Sequence, residues 1–199
     1  MKSWSRRLLF TALGLMIPAT APATVVIEVG LEEMTHASTV VFHGIVEQVV
    51  VRQHPDRKGA LTTEITFQSL EMIKGTAHFR DGHLKLSLLG GTLGDYTLHV
   101  PGMPTFVQGQ ECVIFLEETT AGFALTGLHQ GVFVVETVPG GVERVVSQQP
   151  SGASMARFND KGRFVLGQPA PLTRHHPLNA FLEEVRHYVD EKRAAPLAP

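Results

Sequence analysis

The chain has 199 residues, with 17 Lys+Arg against 19 Asp+Glu, one cysteine and 43% hydrophobic residues. That length and apolar content support one packed domain and exclude a disordered chain. The lone cysteine excludes a disulfide framework and any multi-cysteine metal cluster, and the net charge of −2 leaves no basic footprint for nucleic acid.

Residues 1–23 read as a secretory signal peptide. Lys2, Arg6 and Arg7 open it, a ten-residue apolar run (LLFTALGLMI) follows, and Pro18 breaks that run ahead of Ala19, Ala21 and Ala23. The predicted cleavage follows Ala23 and makes Thr24 the new N-terminus. Ten apolar residues are about 15 Å of helix, half of a bilayer core, so an anchor is not expected. Ser5-Arg6-Arg7-Leu8-Leu9-Phe10 partly matches a twin-arginine signal, so the general secretory route and the twin-arginine route both stay open. Cleavage would remove three bases and leave 176 residues with 14 Lys+Arg and 19 Asp+Glu, a net −5. The expected protein is exported, periplasmic or secreted, with no membrane span after signal removal and no nucleic-acid partner.

Residues 31–36 (LEEMTH) fit two turns of helix with Leu31 and Met34 on one face. Residues 40–52 are rich in β-branched side chains, and Gly44 within them is a natural bulge site. In 61–73, Ile65 and Phe67 alternate with Glu64, Thr66 and Gln68, the pattern of a half-buried strand. Strands are predicted at 84–89 and 96–100 around the turn Gly90-Gly91-Thr92-Leu93-Gly94. Residues 112–116 (CVIFL) are apolar at every position and predict a strand buried on both faces. Strands at 123–128, 132–138 and 142–147 continue the meander. Residues 148–174 read as a linker or strap. Leu178, Phe181, Leu182, Val185, Tyr188 and Val189 then recur at spacings of three and four, as in one amphipathic helix. The predicted organisation is a signal peptide (1–23), a β-barrel domain (24–147), the strap (148–174) and a C-terminal helix with a tail (175–199). The fold class is mainly β, a small antiparallel barrel with a C-terminal amphipathic helix.

Val41-Phe42-His43-Gly44-Ile45-Val46, Thr63-Glu64-Ile65-Thr66-Phe67 and Lys74-Gly75 resemble the opening of netrin-type domains. Gly102-Met103-Pro104-Thr105-Phe106, Gly109-Gln110-Glu111 and Phe115-Leu116 are similar to exported bacterial β-barrel proteins with that same opening. The resemblance covers residues 31–131 and implies the oligonucleotide/oligosaccharide-binding-type barrel shared with the tissue inhibitors of metalloproteinases. Those inhibitors chelate zinc through an N-terminal cysteine, whereas the cysteine here is Cys112 in mid-strand. Protease inhibition therefore does not carry over.

Cys112 sits in an apolar strand, which suits packing rather than reactivity. The ten histidines form no His-Glu-x-x-His motif. The weak metal candidates are His43, on the first long strand, and His175 and His176, just before the helix. No Gly-x-Ser-x-Gly or Ser-x-x-Lys motif is present, and no catalytic residue or cofactor is predicted. Residues 101–109 (PGMPTFVQG) offer Met103 and Phe106 as partner-binding candidates: either Phe106 plugs the barrel end or this loop is a contact surface. The favoured function is an exported, non-catalytic binding module for a protein, peptide or glycan, with loops 54–60, 90–96 and 101–109 as the first places to look. The alternative is a metal-dependent hydrolase or metal-binding protein whose histidines meet in the fold. A third reading is an accessory factor whose C-terminal helix docks on a partner.

Overall fold

Two 14-residue strands, β2 (Val40–Gln53) and β3 (Leu61–Lys74), form the centre of the molecule as a long antiparallel pair. The ladder slips between His43 and Gly44, where a Cβ on Gly44 would lie 2.6 Å from the Gln68 carbonyl oxygen. Only glycine lets the strands approach so closely, and the predicted bend falls there. This is a computed structural model, and it describes residues 25–75, 81–148, 154–158, 164–167 and 176–194. The signal segment, Ala23 and His175 lie outside the described residues.

The remaining elements are β1 (Val25–Ile27), α1 (Leu31–Ala37), β4 (His83–Leu89), β5 (Gly91–Leu93), β6 (Tyr96–Leu98), β7 (Glu111–Thr119), β8 (Gly122–Leu125), β9 (Val132–Thr137), β10 (Arg144–Gln148), β11 (Ser154–Phe158), β12 (Phe164–Gly167), β13 (His176–Pro177) and α2 (Leu178–Ala194). The main sheet is antiparallel in the order β13-β10-β9-β7-β2-β3-β4, with β8 also paired to β7. Strand β7 is buried on both faces, as its unbroken apolar run predicts. Cys112, Ile114 and Leu116 enter one core cluster with Phe42, Ile65, Phe67 and Leu86. Val113 and Phe115 point the other way, into a second cluster with Met34, Val41, Phe133 and Val146.

Helix α2 covers that second cluster. Leu178, Phe181, Leu182, Val185 and Val189 are buried, and the Phe181 ring lies 4.7 Å from Phe133 and 6.5 Å from Phe115, centroid to centroid. The three-and-four spacing therefore marks a core face. Helix α1 packs beside α2, where His36 Nε2 bonds the Tyr188 backbone oxygen at 3.0 Å. Among the described residues, no helix is long and apolar enough to cross a membrane.

The fold is mainly β with a C-terminal helix, but the sheet does not close into a barrel. It curls around the first cluster until β4 approaches β8, and no ladder joins the two. Closure requires every strand to be paired on both edges, and among the described residues the four of β8 pair only with β7. The Gly-rich segment also differs from expectation. Instead of turning 84–89 back onto 96–100, it forms β5, which pairs with β6 across a two-residue Gly94-Asp95 turn. Gly90, at φ 109°, separates β4 from β5. The segment read as a strap contains two strands, since β11 pairs antiparallel with β12 and parallel with β1. Short strands of mixed composition carry too little periodicity to be read locally.

Candidate binding cleft

Beside the first core cluster, the β5–β6 hairpin folds over the distal halves of β2 and β3 and leaves a cleft of about 260 Å³. Val49 and Val51 of β2 and Thr63 and Ile65 of β3 form its floor, Leu88 and Leu89 one wall, and Met103 and Phe106 the opposite side. Among the described residues, no Lys, Arg, Asp or Glu lines it. Its polar groups are Thr63, Thr92, Thr97, Thr105 and His99, together with backbone.

The lid is held by specific bonds. Gly90 N donates to Leu61 O at 2.7 Å, and Thr63 Oγ1 donates to Gly90 O at 2.7 Å. Gly91 adopts φ 128°, and a Cβ there would lie 2.5 Å from Thr63 Oγ1 and 2.9 Å from Val51 Cγ1. Glycine is thus required where the hairpin backbone crosses the strands. At the tip, Tyr96 Oη donates to Gly59 O at 2.9 Å and ties the hairpin to the β2–β3 loop. Of the three loops singled out in the sequence, 90–96 and 101–109 thus contribute residues to the cleft, and 54–60 is tied to the hairpin tip beside it.

Phe106 is buried. Its ring packs edge-on against Phe67 at 5.4 Å, and Phe67 packs against Phe42 at 5.5 Å. The Phe106 ring belongs to the first core cluster and does not stand free on the loop surface. Met103 is partly buried against the same cluster and forms part of the cleft surface. The loop is pinned where β2 bulges, because Gly109 N donates to Val46 O and Val46 N donates to Gln110 O, both at 2.8 Å. The hairpin tip leaves Leu93 and Tyr96 exposed.

The histidine candidates lie elsewhere. His43 faces the second cluster, with Nε2 2.5 Å from Glu111 Oε1, and Arg144 holds the same carboxylate oxygen. Opposite His43 on β3 stands Glu71, which accepts from Arg186 Nε at 3.1 Å and Nη2 at 2.5 Å. Arg144, Glu111, His43, Glu71 and Arg186 thus form one row, with a carboxylate on each side of the His43 imidazole and a guanidinium at each end. Burial first, and then the Arg144 guanidinium, lowers the imidazole's affinity for a proton against the opposing pull of Glu71. His176 is exposed on β13, four strand steps from β2 in the sheet order, roughly 19 Å at strand spacing. His43 and His176 therefore do not share a site. Among the described residues, no three His, Cys, Asp or Glu side chains group so as to hold a metal ion.

Cys112 is fully buried, and burial pushes its thiol up to about 12. Two polar residues that the sequence did not single out also shape this end of the molecule. His129, on the short 3-10 turn Leu128–Gly131, is buried, and its Nδ1 has no hydrogen-bond partner among the described residues. Gln130 is fully buried; it accepts from Val29 N at 2.9 Å and donates to Ile27 O at 2.8 Å, which latches the β1 segment in place. The signal for it was weak, a Gln within a Gly-flanked turn.

No protein-family model matches the chain, and no curated protein is detectably similar to it.

Proposed function

We propose that this chain is an exported, non-catalytic binding module that takes an apolar side chain of a protein or peptide partner in the cleft beneath the β5–β6 hairpin. The observation that carries this reading is the lining, aliphatic and threonine-rich and, among the described residues, without Lys, Arg, Asp or Glu, on a framework fixed by Thr63, Gly91 and Tyr96. Sites that bind through shape and apolar burial have this composition, with a few polar groups for orientation. A space of about 260 Å³ suits one or two side chains rather than a whole cofactor. A peptide is preferred over a glycan because the aromatic ring in the lining, Phe106, is turned into the core.

Selection of a displayed random-peptide library against the purified protein tests this. The expected outcome is enrichment of peptides with a central Leu, Ile, Met or Val. Their affinity should drop at least tenfold in Thr97→Trp, which fills the mouth from an exposed position, while the melting temperature stays unchanged. Enrichment of no apolar peptide, or binding that survives Thr97→Trp, would overturn the proposal.

A further inference from the structure

A second cavity, of about 200 Å³, lies on the other side of the main sheet, between the β1–α1 segment and the start of α2. Its floor is apolar and belongs to the second core cluster: Met34, Phe133, Val146 and Phe181, with Val29 beside them. Its rim is different from that of the first cleft. Among the described residues it carries two acids, Glu28 and Glu184, together with the His176 imidazole and the Gln148 amide.

This rim is rich in acceptors. Gln148 Nε2 already donates to Gln130 O at 2.9 Å, which engages one of its two amide hydrogens. Glu184 accepts from Tyr188 Oη at 3.0 Å through Oε1, and the carboxylate retains a second oxygen. The wall is preformed as well, because Gln130 bonds both Ile27 and Val29, and Glu28 N donates to Ala156 O at 2.8 Å.

From this arrangement we infer that the cavity binds a small amphiphilic primary amine, with its apolar body on the Met34–Phe133–Phe181 floor and its ammonium between Glu28 and Glu184. An ammonium presents three donors and no acceptor and so complements the two rim carboxylates. An apolar cavity of roughly 150 Å³ accommodates benzene, so this one has room for a phenyl ring and a two-carbon arm. A carboxylate-bearing ligand of the same shape would place like charge beside both acids. The site is independent of the hairpin cleft, and the function proposed for that cleft does not enter the argument.

The test titrates the full chain with 2-phenylethylamine, 2-phenylethanol and 3-phenylpropionate while backbone amide shifts are followed by NMR. The expected result is saturable binding of the amine, with shifts at Val29, Met34 and Val146, at least tenfold tighter than the alcohol and tighter still than the acid. Glu28→Gln combined with Glu184→Gln should erase the preference of amine over alcohol, and circular dichroism would verify that the variant is folded. Val29→Trp should block all three compounds. Absence of saturation by the amine, equal binding of amine and acid, or a preference that survives the double Gln variant would overturn the inference.

Discussion

His43 Nε2 lies 2.5 Å from Glu111 Oε1, and Arg144 shares that oxygen, so the imidazole is held beside a carboxylate whose charge is already engaged. Burial is the leading influence on His43, and it also leads at His129; both hold a proton less readily than free imidazole, near 6.5. As pH falls, the unfolded chain takes up these protons first. The stability tied to the two neutral rings is therefore whole above about pH 6.5 and is lost as pH falls below it, toward their lower folded values. We expect urea midpoints to decline from pH 7 to pH 5, and a His43→Gln, His129→Gln double variant to flatten that decline. A midpoint that rises over this interval would contradict the assignment. Arg144→Gln should move the His43 titration upward in an NMR pH series.

Lys74 and Gly75 show why that pair closes β3. Lys74 Nζ donates to Thr35 O at 2.8 Å and to Ser38 O at 2.5 Å, which satisfies carbonyls at the end of α1. Gly75 has φ 78°, and a Cβ there would collide with the Thr39 carbonyl. Lys74→Met should cost about 1.5–3 kcal/mol, since it removes a charged donor from several acceptors. Gly75→Ala should cost at least about 1–3 kcal/mol through backbone strain alone. Chemical denaturation measures both.

Phe181 contacts Phe115 and Phe133 and is buried, so α2 belongs to the core. Phe181→Ala should destabilise the protein by about 3–5 kcal/mol. If the helix served only to dock a partner, the same substitution would leave the unfolding free energy within about 0.5 kcal/mol of the parent.

Cys112, fully buried and with its thiol pushed up to about 12, should resist a disulfide reagent at pH 8. Full reaction is expected once denaturant unfolds the chain, because the thiolate needs both solvent and a lowered proton affinity. Rapid modification of the native protein would show that β7 opens locally.

Phe106 bears on both the fold and the cleft. Phe106→Ala should cost about 3–5 kcal/mol by removing the ring that packs on Phe67. Met103→Ala, at a partly buried position facing the same cleft, should cost less stability and weaken binding of the selected apolar peptides.

Several features were legible from local pattern because local pattern causes them. The all-apolar run at 112–116 must feed two cores when it becomes a strand, since alternate side chains leave opposite faces. Gly44 marked the bend in β2 because no other residue permits that approach to Gln68. The spacing of Leu178, Phe181, Leu182, Val185 and Val189 defined a buried stripe whatever it packed against. Met103 and Phe106 stood out as apolar residues among turn formers.

What the sequence determined by itself was the long strands, the two helices and their buried faces, because period and turn chemistry act over a few residues. Tertiary structure alone decided how those elements meet. It left the curl open between β4 and β8, paired β5 with β6, brought loops 90–96 and 101–109 to one cleft, and tied loop 54–60 to the hairpin tip. It also aligned Arg144, Glu111, His43, Glu71 and Arg186 in one row and buried Gln130 against the β1 segment. These partners stand tens of residues apart in the chain. Their meeting depends on strand register and helix docking, which arise from the whole core at once.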